Sequence, residues 1–126
     1  LVYNPTDYSK DAGKMLTIVE LPEYRRKIGS KLTLEENASL ISRLAKHPDD
    51  GVLIKGTGGI RKLRWAAKGK GKSGSVRVIY YFYNSSLPLF LLTLFGKDEK
   101  SNLSQAEVNE LARLVILLRQ NYGDFT

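Results

Sequence analysis

The order of elements readable in this sequence predicts a single α+β domain: a strand, two helices, a three-stranded meander and a final helix. Three observations carry that expectation. Thr33 with Glu36 and Ser104 with Glu107 are two capping boxes, each ahead of an apolar series at helical spacing. Between them lie three stretches that alternate or are dense in β-branched and aromatic residues, joined by short turn-forming links. The chain has 126 residues, of which 42% are apolar, enough for one core and too few for two domains.

Each element has a local cause. Residues 1–14 are polar, contain Pro5 and Gly13 and lack periodicity, so they are expected to be an N-terminal extension or appended tail outside the fold. The domain then occupies 15–126. LTIVEL, from Leu16, reads as a strand; Pro22 suits the first position of a short helix, EYRRKI, which Gly29 is expected to end. From the Thr33 cap, Leu34, Ala38, Ile41, Leu44 and Ala45 recur at helical spacing through Lys46. His47 to Gly51 ends that helix and opens a loop. Ile60–Trp65 alternates, which places Lys62 and Arg64 on one face and Leu63 and Trp65 on the other. Ser75–Tyr83 and Leu89–Phe95 supply the next two strands, and an antiparallel meander is their simplest arrangement. A last helix runs from the Ser104 cap to about Gln120, with Val108, Leu111, Val115 and Leu118 toward the core.

Composition removes several functions. No Cys is present, so disulfides, thiolate zinc sites and thiol nucleophiles are excluded, and one His (His47) cannot build a multi-histidine metal centre. The longest nearly unbroken apolar run, Leu87–Phe95, is about half the length of a membrane-spanning helix. No signal-peptide pattern is visible, and a reducing cytoplasm is the expected compartment. Charge is the most informative feature. Between Gly51 and Lys97 there are nine basic residues and no acidic one, whereas the remainder holds eleven basic and thirteen acidic residues. That asymmetry predicts one polyanion-binding face.

The motifs of the basic segment are mostly negative results. Gly69 to Gly74 spells GxGxxG, but a dinucleotide site needs a helix immediately afterwards and a strand follows here. A phosphate-loop reading fails similarly, with Ala66 at the first glycine position. The same loop does offer Lys68, Lys70 and Lys72, spaced by two, to phosphates. His47 is expected at a helix C-terminus in a structural role, where an imidazolium would favour the helix dipole. Trp65 and Tyr80 to Tyr83 are expected to be mostly core, since alternation sends about half of such residues inward. Phe95, beside Gly96 and Lys97, is the ring placed to receive a base.

The run GTGGIRKLRWAAKGKGKSGSVRVIYYF, followed by LLTLFGKDEKSNLS and a C-terminal helix, resembles the RelE/HigB superfamily of bacterial toxins, in particular its HigB-type branch. The resemblance spans roughly Met15–Gln120 and is strongest over Gly56–Leu103. It implies a RelE-like fold: a small antiparallel sheet, mixed through its N-terminal strand, packed against two N-terminal helices and one C-terminal helix. It also implies an mRNA endonuclease of a type II toxin-antitoxin module. Such a toxin enters the A site of the small ribosomal subunit and cuts the codon there. A HigA-like helix-turn-helix antitoxin neutralises it, and neither metal nor other cofactor takes part. By position, Lys62, Arg64 and Arg77 match the basic strand residues of these toxins, and Lys97 and Lys100 the basic tail of the last strand. Asp98 stands where the best-known branch has an arginine, and that branch's C-terminal tyrosine and another branch's histidine site are not evident.

The residues themselves suit attack of a ribose 2′-OH on the adjacent phosphate. That reaction needs a charge stabiliser, a proton acceptor and a donor for the leaving oxygen. Arg64 and Arg77, on adjacent strands, are placed to grip the phosphate. Lys70, Lys72 and Lys97 are the candidates for proton transfer, since neighbouring cations lower a lysine pKa. Lys62, Lys68, Lys72, Phe95 and Lys100 are assigned to substrate binding, and which residue is base and which acid stays open. A ParE-like gyrase inhibitor and a non-enzymatic RNA-binding module are the alternatives. On the last helix, with Leu111 at zero, Ile116 falls at about 140° and Leu117 at about 240°, outside the core stripe and bordering Asn109, Glu110 and Arg113. These two aliphatics are the expected antitoxin contact.

Overall fold

The computed structural model describes residues 2–6, 16–67 and 74–122. Its elements are β1 (Val2–Thr6), β2 (Leu16–Glu20), α1 (Pro22–Lys31), α2 (Leu34–Lys46), β3 (Val52–Leu53), β4 (Ile60–Ala66), β5 (Ser75–Tyr81), β6 (Leu89–Gly96) and α3 (Gln105–Tyr122). The strands form one sheet in the order β1-β2-β6-β5-β4-β3. Only the β2–β6 pair is parallel, so the expected α+β class with a mixed sheet is what the chain adopts. No helix among the described residues is long and apolar enough to cross a membrane.

Helix starts follow their caps. Thr33 Oγ1 accepts from Glu36 N at 3.1 Å while Glu36 Oε1 accepts from Thr33 N at 2.9 Å, the reciprocal pair that satisfies orphan donors at the start of α2. Ser104 and Glu107 do the same for α3, at 2.8 and 3.1 Å. Pro22 takes the first turn of α1, as expected. Gly29 does not end that helix. The chain continues to Lys31, because Leu32 donates its N–H to Ile28 O and buries its side chain, which rewards another turn. Two further differences are instructive. Leu34 is 84% exposed and Leu40 takes its place in the core, since α2 docks through Leu40, Ile41 and Leu44. Residues 1–14 are not wholly outside the fold: Val2–Thr6 pairs antiparallel with β2 from Val2↔Glu20 to Thr6↔Leu16, occupying a ladder edge that would otherwise be open.

Apolar layers cover both sides of the sheet. Leu89, Leu91 and Leu94 of β6 face α1 and α2 with Tyr24, Leu40 and Leu44. Phe90, Leu92 and Phe95 face α3 with Val115 and Leu118. A bulge between Ile79 and Tyr80 makes Leu92 the extra residue of β6 and shifts the alternation, so that Leu94 rather than Thr93 joins Leu89 and Leu91 on the α1–α2 side. β3 was not anticipated, two residues being too short to show a period. It is tied in at Gly51, whose N–H donates to the Tyr80 hydroxyl at 2.8 Å; a Cβ there would lie 2.9 Å from that ring. Tyr80 in turn donates to Pro48 O at 2.8 Å, and burial pushes its pKa up to about 12.

One part-buried polar chain joins α1 and α2 to the sheet. Tyr24 donates to Asn37 Oδ1 at 2.6 Å, and Asn37 Nδ2 donates to Glu20 Oε2 at 2.8 Å. Burial, with Glu20 nearby, keeps the Tyr24 phenol protonated far above its usual range. Asn37→Ala removes the partner of both neighbours in this part-buried site and is expected to cost about 2 kcal/mol in a urea titration. A loss below about 0.5 kcal/mol would show that water replaces the amide.

Candidate anion-binding site at the open end of the sheet

The meander brings the basic residues to one end of the sheet. Arg64 and Arg77 are direct cross-strand partners, and Arg77 is in turn opposite Phe95 on β6. The pleat puts directly opposed residues on one face, so two guanidiniums stem from neighbouring points on the α3 side of the sheet. Like charges so placed repel, by about 0.2–1 kcal/mol. What stands between them is neutral. Ser75 Oγ accepts from Arg64 Nε at 3.1 Å and from Arg77 Nη1 at 2.8 Å. Among the described residues no carboxylate lies within ion-pair distance of either arginine. Arg64 is exposed and Arg77 half-buried.

The other expected site residues are distributed around this pair. Lys62, two residues along the same face of β4, donates to Asn102 Oδ1 at 3.0 Å. Lys97 is exposed and lines, with Lys31, Ser75, Gly96 and Asp98, a cleft of about 470 Å³ beside the end of β5. Lys100 is ion-paired with Glu107 and its ammonium sits 5.1 Å from the centre of the Phe95 ring. Phe95 itself is only 2% exposed, so the ring expected to receive a base is packed instead into the α3-side core, under Lys100. Lys68, Lys70 and Lys72 lie outside the described residues. Of the aromatic cluster, Tyr80 and Tyr81 are fully buried and Tyr83 is exposed.

Two of the acids that follow the basic segment, Glu99 and Glu107, are occupied elsewhere, while Asp98 lines the cleft with Ser75 and Lys97. Glu99 Oε1 accepts from Gly96 N at 2.6 Å and from Lys31 at 2.7 Å, and these bonds hold its carboxyl below the usual range. Gly96 admits this tight turn because a Cβ would meet Asp98 Oδ1 at 2.5 Å. Glu107, bonded first by Lys100 and then by Ser104 N, is lowered too. Neither carboxylate is left to neutralise the arginines. Ser75 and Asn102 were not picked out from the sequence. Ser75 had a signal, since it precedes Arg77 by two in a strand and must share its face; Asn102 had none.

A guanidinium pair with no carboxylate partner among the described residues has the chemistry to grip a phosphate group. A family model, the RelE toxin of the RelE/RelB toxin-antitoxin system, matches residues 27–121. The chain belongs to the RelE toxin family. In this RelE-family chain the match takes in α2, β3 to β6 and nearly all of α3, and with them Lys62, Arg64, Ser75, Arg77, Lys97 and Lys100. Membership carries an antitoxin as partner. Ile116 and Leu117, the residues expected to meet it, are 56% and 54% exposed on α3.

If the arginine pair is kept for binding rather than for stability, breaking it relieves repulsion. Arg64→Thr, which retains strand preference, is expected to raise stability by about 0.5 kcal/mol, seen as a higher Tm. Inorganic phosphate should raise the Tm of the wild type more than that of the variant. A Tm lowered by the substitution would show that the two cations do not repel in the folded state.

Proposed function

We propose that this chain is a ribosome-dependent endoribonuclease of the HigB-type branch, acting in the cytoplasm on mRNA in the A site of the small ribosomal subunit. The observation that carries the reading is the opposed Arg64–Arg77 pair with no carboxylate partner among the described residues. Two guanidiniums aimed at one phosphate supply the positive charge that a dianionic transition state requires. The ribose 2′-oxygen loses its proton to a base and bonds to phosphorus, the bond to the 5′-oxygen breaks, and that oxygen takes up a proton. The products are a 2′,3′-cyclic phosphate and a 5′-hydroxyl. No metal or other cofactor is assigned to the reaction. Lys97 and Lys70 are the proposed proton carriers, and Lys62, Lys68, Lys72 and Lys100 hold flanking phosphates. Phe95 supports this row from within the core.

End-group analysis of mRNA recovered from translating ribosomes tests the proposal. A cyclic phosphate facing a 5′-hydroxyl is the expected result. Intact RNA with cleaved DNA would instead make the chain a gyrase poison, and intact RNA and DNA together would make it a binding module. Arg64→Ala and Arg77→Ala are each expected to lower the cleavage rate on the order of 10²–10³-fold and to abolish growth arrest while the fold persists. Either variant cutting at the wild-type rate would misplace the site.

The partner proposed for α3 is a HigA-like antitoxin with a helix-turn-helix domain. Exposed Ile116 and Leu117 sit among polar residues of α3, where an apolar segment of the antitoxin gains by covering them. The double change Ile116→Lys with Leu117→Lys is expected to weaken antitoxin binding by about 2 kcal/mol or more in titration calorimetry while RNA cleavage continues. Unaltered affinity would place the antitoxin elsewhere.

A further inference from the structure

We propose that Ser75 is a positioning residue of the reaction: its hydroxyl oxygen aims the Arg64 and Arg77 guanidiniums at a single phosphate. The proposal rests on the endoribonuclease reading above, and its geometric half can be measured without catalysis. A serine oxygen has two lone pairs, and here both are used, by Arg64 Nε at 3.1 Å and Arg77 Nη1 at 2.8 Å. An arginine carries five N–H donors in a rigid plane, so fixing one of them fixes the direction of the rest. Arg64 is held at Nε, and among the described residues no partner takes its two terminal nitrogens. Arg77 is held at one terminal nitrogen, and among the described residues the edge formed by Nε and the other has no partner. Each therefore retains a two-donor edge, the kind that grips a phosphate bidentately.

Without this acceptor nothing in the described residues holds the pair together. The two side chains are long, of like charge and directly opposite, so they would splay apart and lose their common aim. Ser75 is itself well placed to resist that pull. Its backbone is fixed in the ladder by pairing with Ala66, and the next link, Ala67 N–H to Gly74 O at 3.2 Å, closes the turn side of the strand pair. Gly74, at φ +123°, sets the entry into β5 in a conformation that other residues rarely adopt. The hydroxyl is thus not what holds the strand, and replacing it leaves the ladder intact.

The test uses the full chain as wild type, Ser75→Ala and Ser75→Thr. Hydrogen exchange at the Arg64 Nε–H, assigned by its loss in Arg64→Lys, reports the hydrogen bond. Cleavage on translating ribosomes reports kcat and KM. Slow exchange is expected in the wild type, with exchange at least about tenfold faster in Ser75→Ala. The kcat of that variant should fall roughly 10- to 100-fold with KM within about twofold, because the arginines remain but are misaimed. Ser75→Thr, which keeps the oxygen and suits a strand, should restore both readouts. Unchanged exchange in Ser75→Ala, an unchanged kcat, or a threonine variant as slow as the alanine one would each overturn the proposal. Should Ser75→Ala fail to fold, Ser75→Cys, a much weaker acceptor of similar size, takes its place. If the wild type cuts no RNA, the functional reading falls while the exchange measurement still decides whether Ser75 holds the pair.

Discussion

Every residue of β6 is buried, and a strand with no exposed face obliges the chain to supply a layer on each side of it. α1 and α2 cover one side through Tyr24, Leu40 and Leu44, and α3 covers the other through Val115 and Leu118. The remaining elements are arranged by that demand. β2 joins in parallel because α1 must cross to the helical layer directly after it, and β5 lies antiparallel because a short link returns it to the same core. The bulge at Leu92 serves the same constraint, since it turns Leu94 in place of the polar Thr93 into the α1–α2 layer.

Coverage stops before the sheet does. α3 begins at Gln105 and packs over Ile60, Ile79, Tyr81 and Phe90, leaving the row of Arg64 and Arg77 beyond it. Only at this uncovered end does a sheet position on the α3 side tolerate a guanidinium, since anywhere deeper the charge would be desolvated without a partner. The fold therefore determines where cations can be placed, and the chain fills that place at some expense to its own stability. Opposed arginines are a local conflict of the kind expected where function overrides packing.

Much of this was legible because the decisive signals are short-range. Capping boxes at Thr33 and Ser104 fix helix starts by a chemistry three residues long, and alternation over Ile60–Trp65 places Lys62 and Arg64 together without knowledge of any partner strand. The errors came from information the local sequence lacks. Gly29 looks like a stop until Leu32 finds its core; Leu34 looks apolar and inward until α2 docks through Leu40; β1 looks like a tail until β2 offers it an edge. Phe95 illustrates the same limit at the site. Its strand ends in basic residues, yet whether the ring is open depends on where Lys100 and α3 come to rest. Register, too, is non-local. The sequence puts Arg64 and Arg77 on adjacent strands, but nothing within β4 or β5 alone states that they stand directly opposite, a register that comes with the ladder from Ile60↔Tyr81.

A hydroxyl between the two arginines, where a carboxylate would bind them more tightly, is the arrangement an anion site requires. Hydrogen bonds from guanidinium to carboxylate contribute about 1.5–3 kcal/mol each, so an acidic residue at position 75 would hold the pair more firmly than Ser75 does. It would also cancel half of the pair's charge and set a negative oxygen beside an incoming phosphate. A neutral oxygen orients without cancelling. It accepts from Arg64 and Arg77 with its two lone pairs and keeps one proton, which is a donor and not a competitor when an anion arrives. The same reasoning accounts for the nearest acids. Glu99 is spent on Gly96 and Lys31, and Glu107 on Lys100 and the α3 cap, so neither is ion-paired with the arginines. Preorganisation of this kind is done before substrate binds, and that is when dipoles and charges must already be in place to favour a transition state.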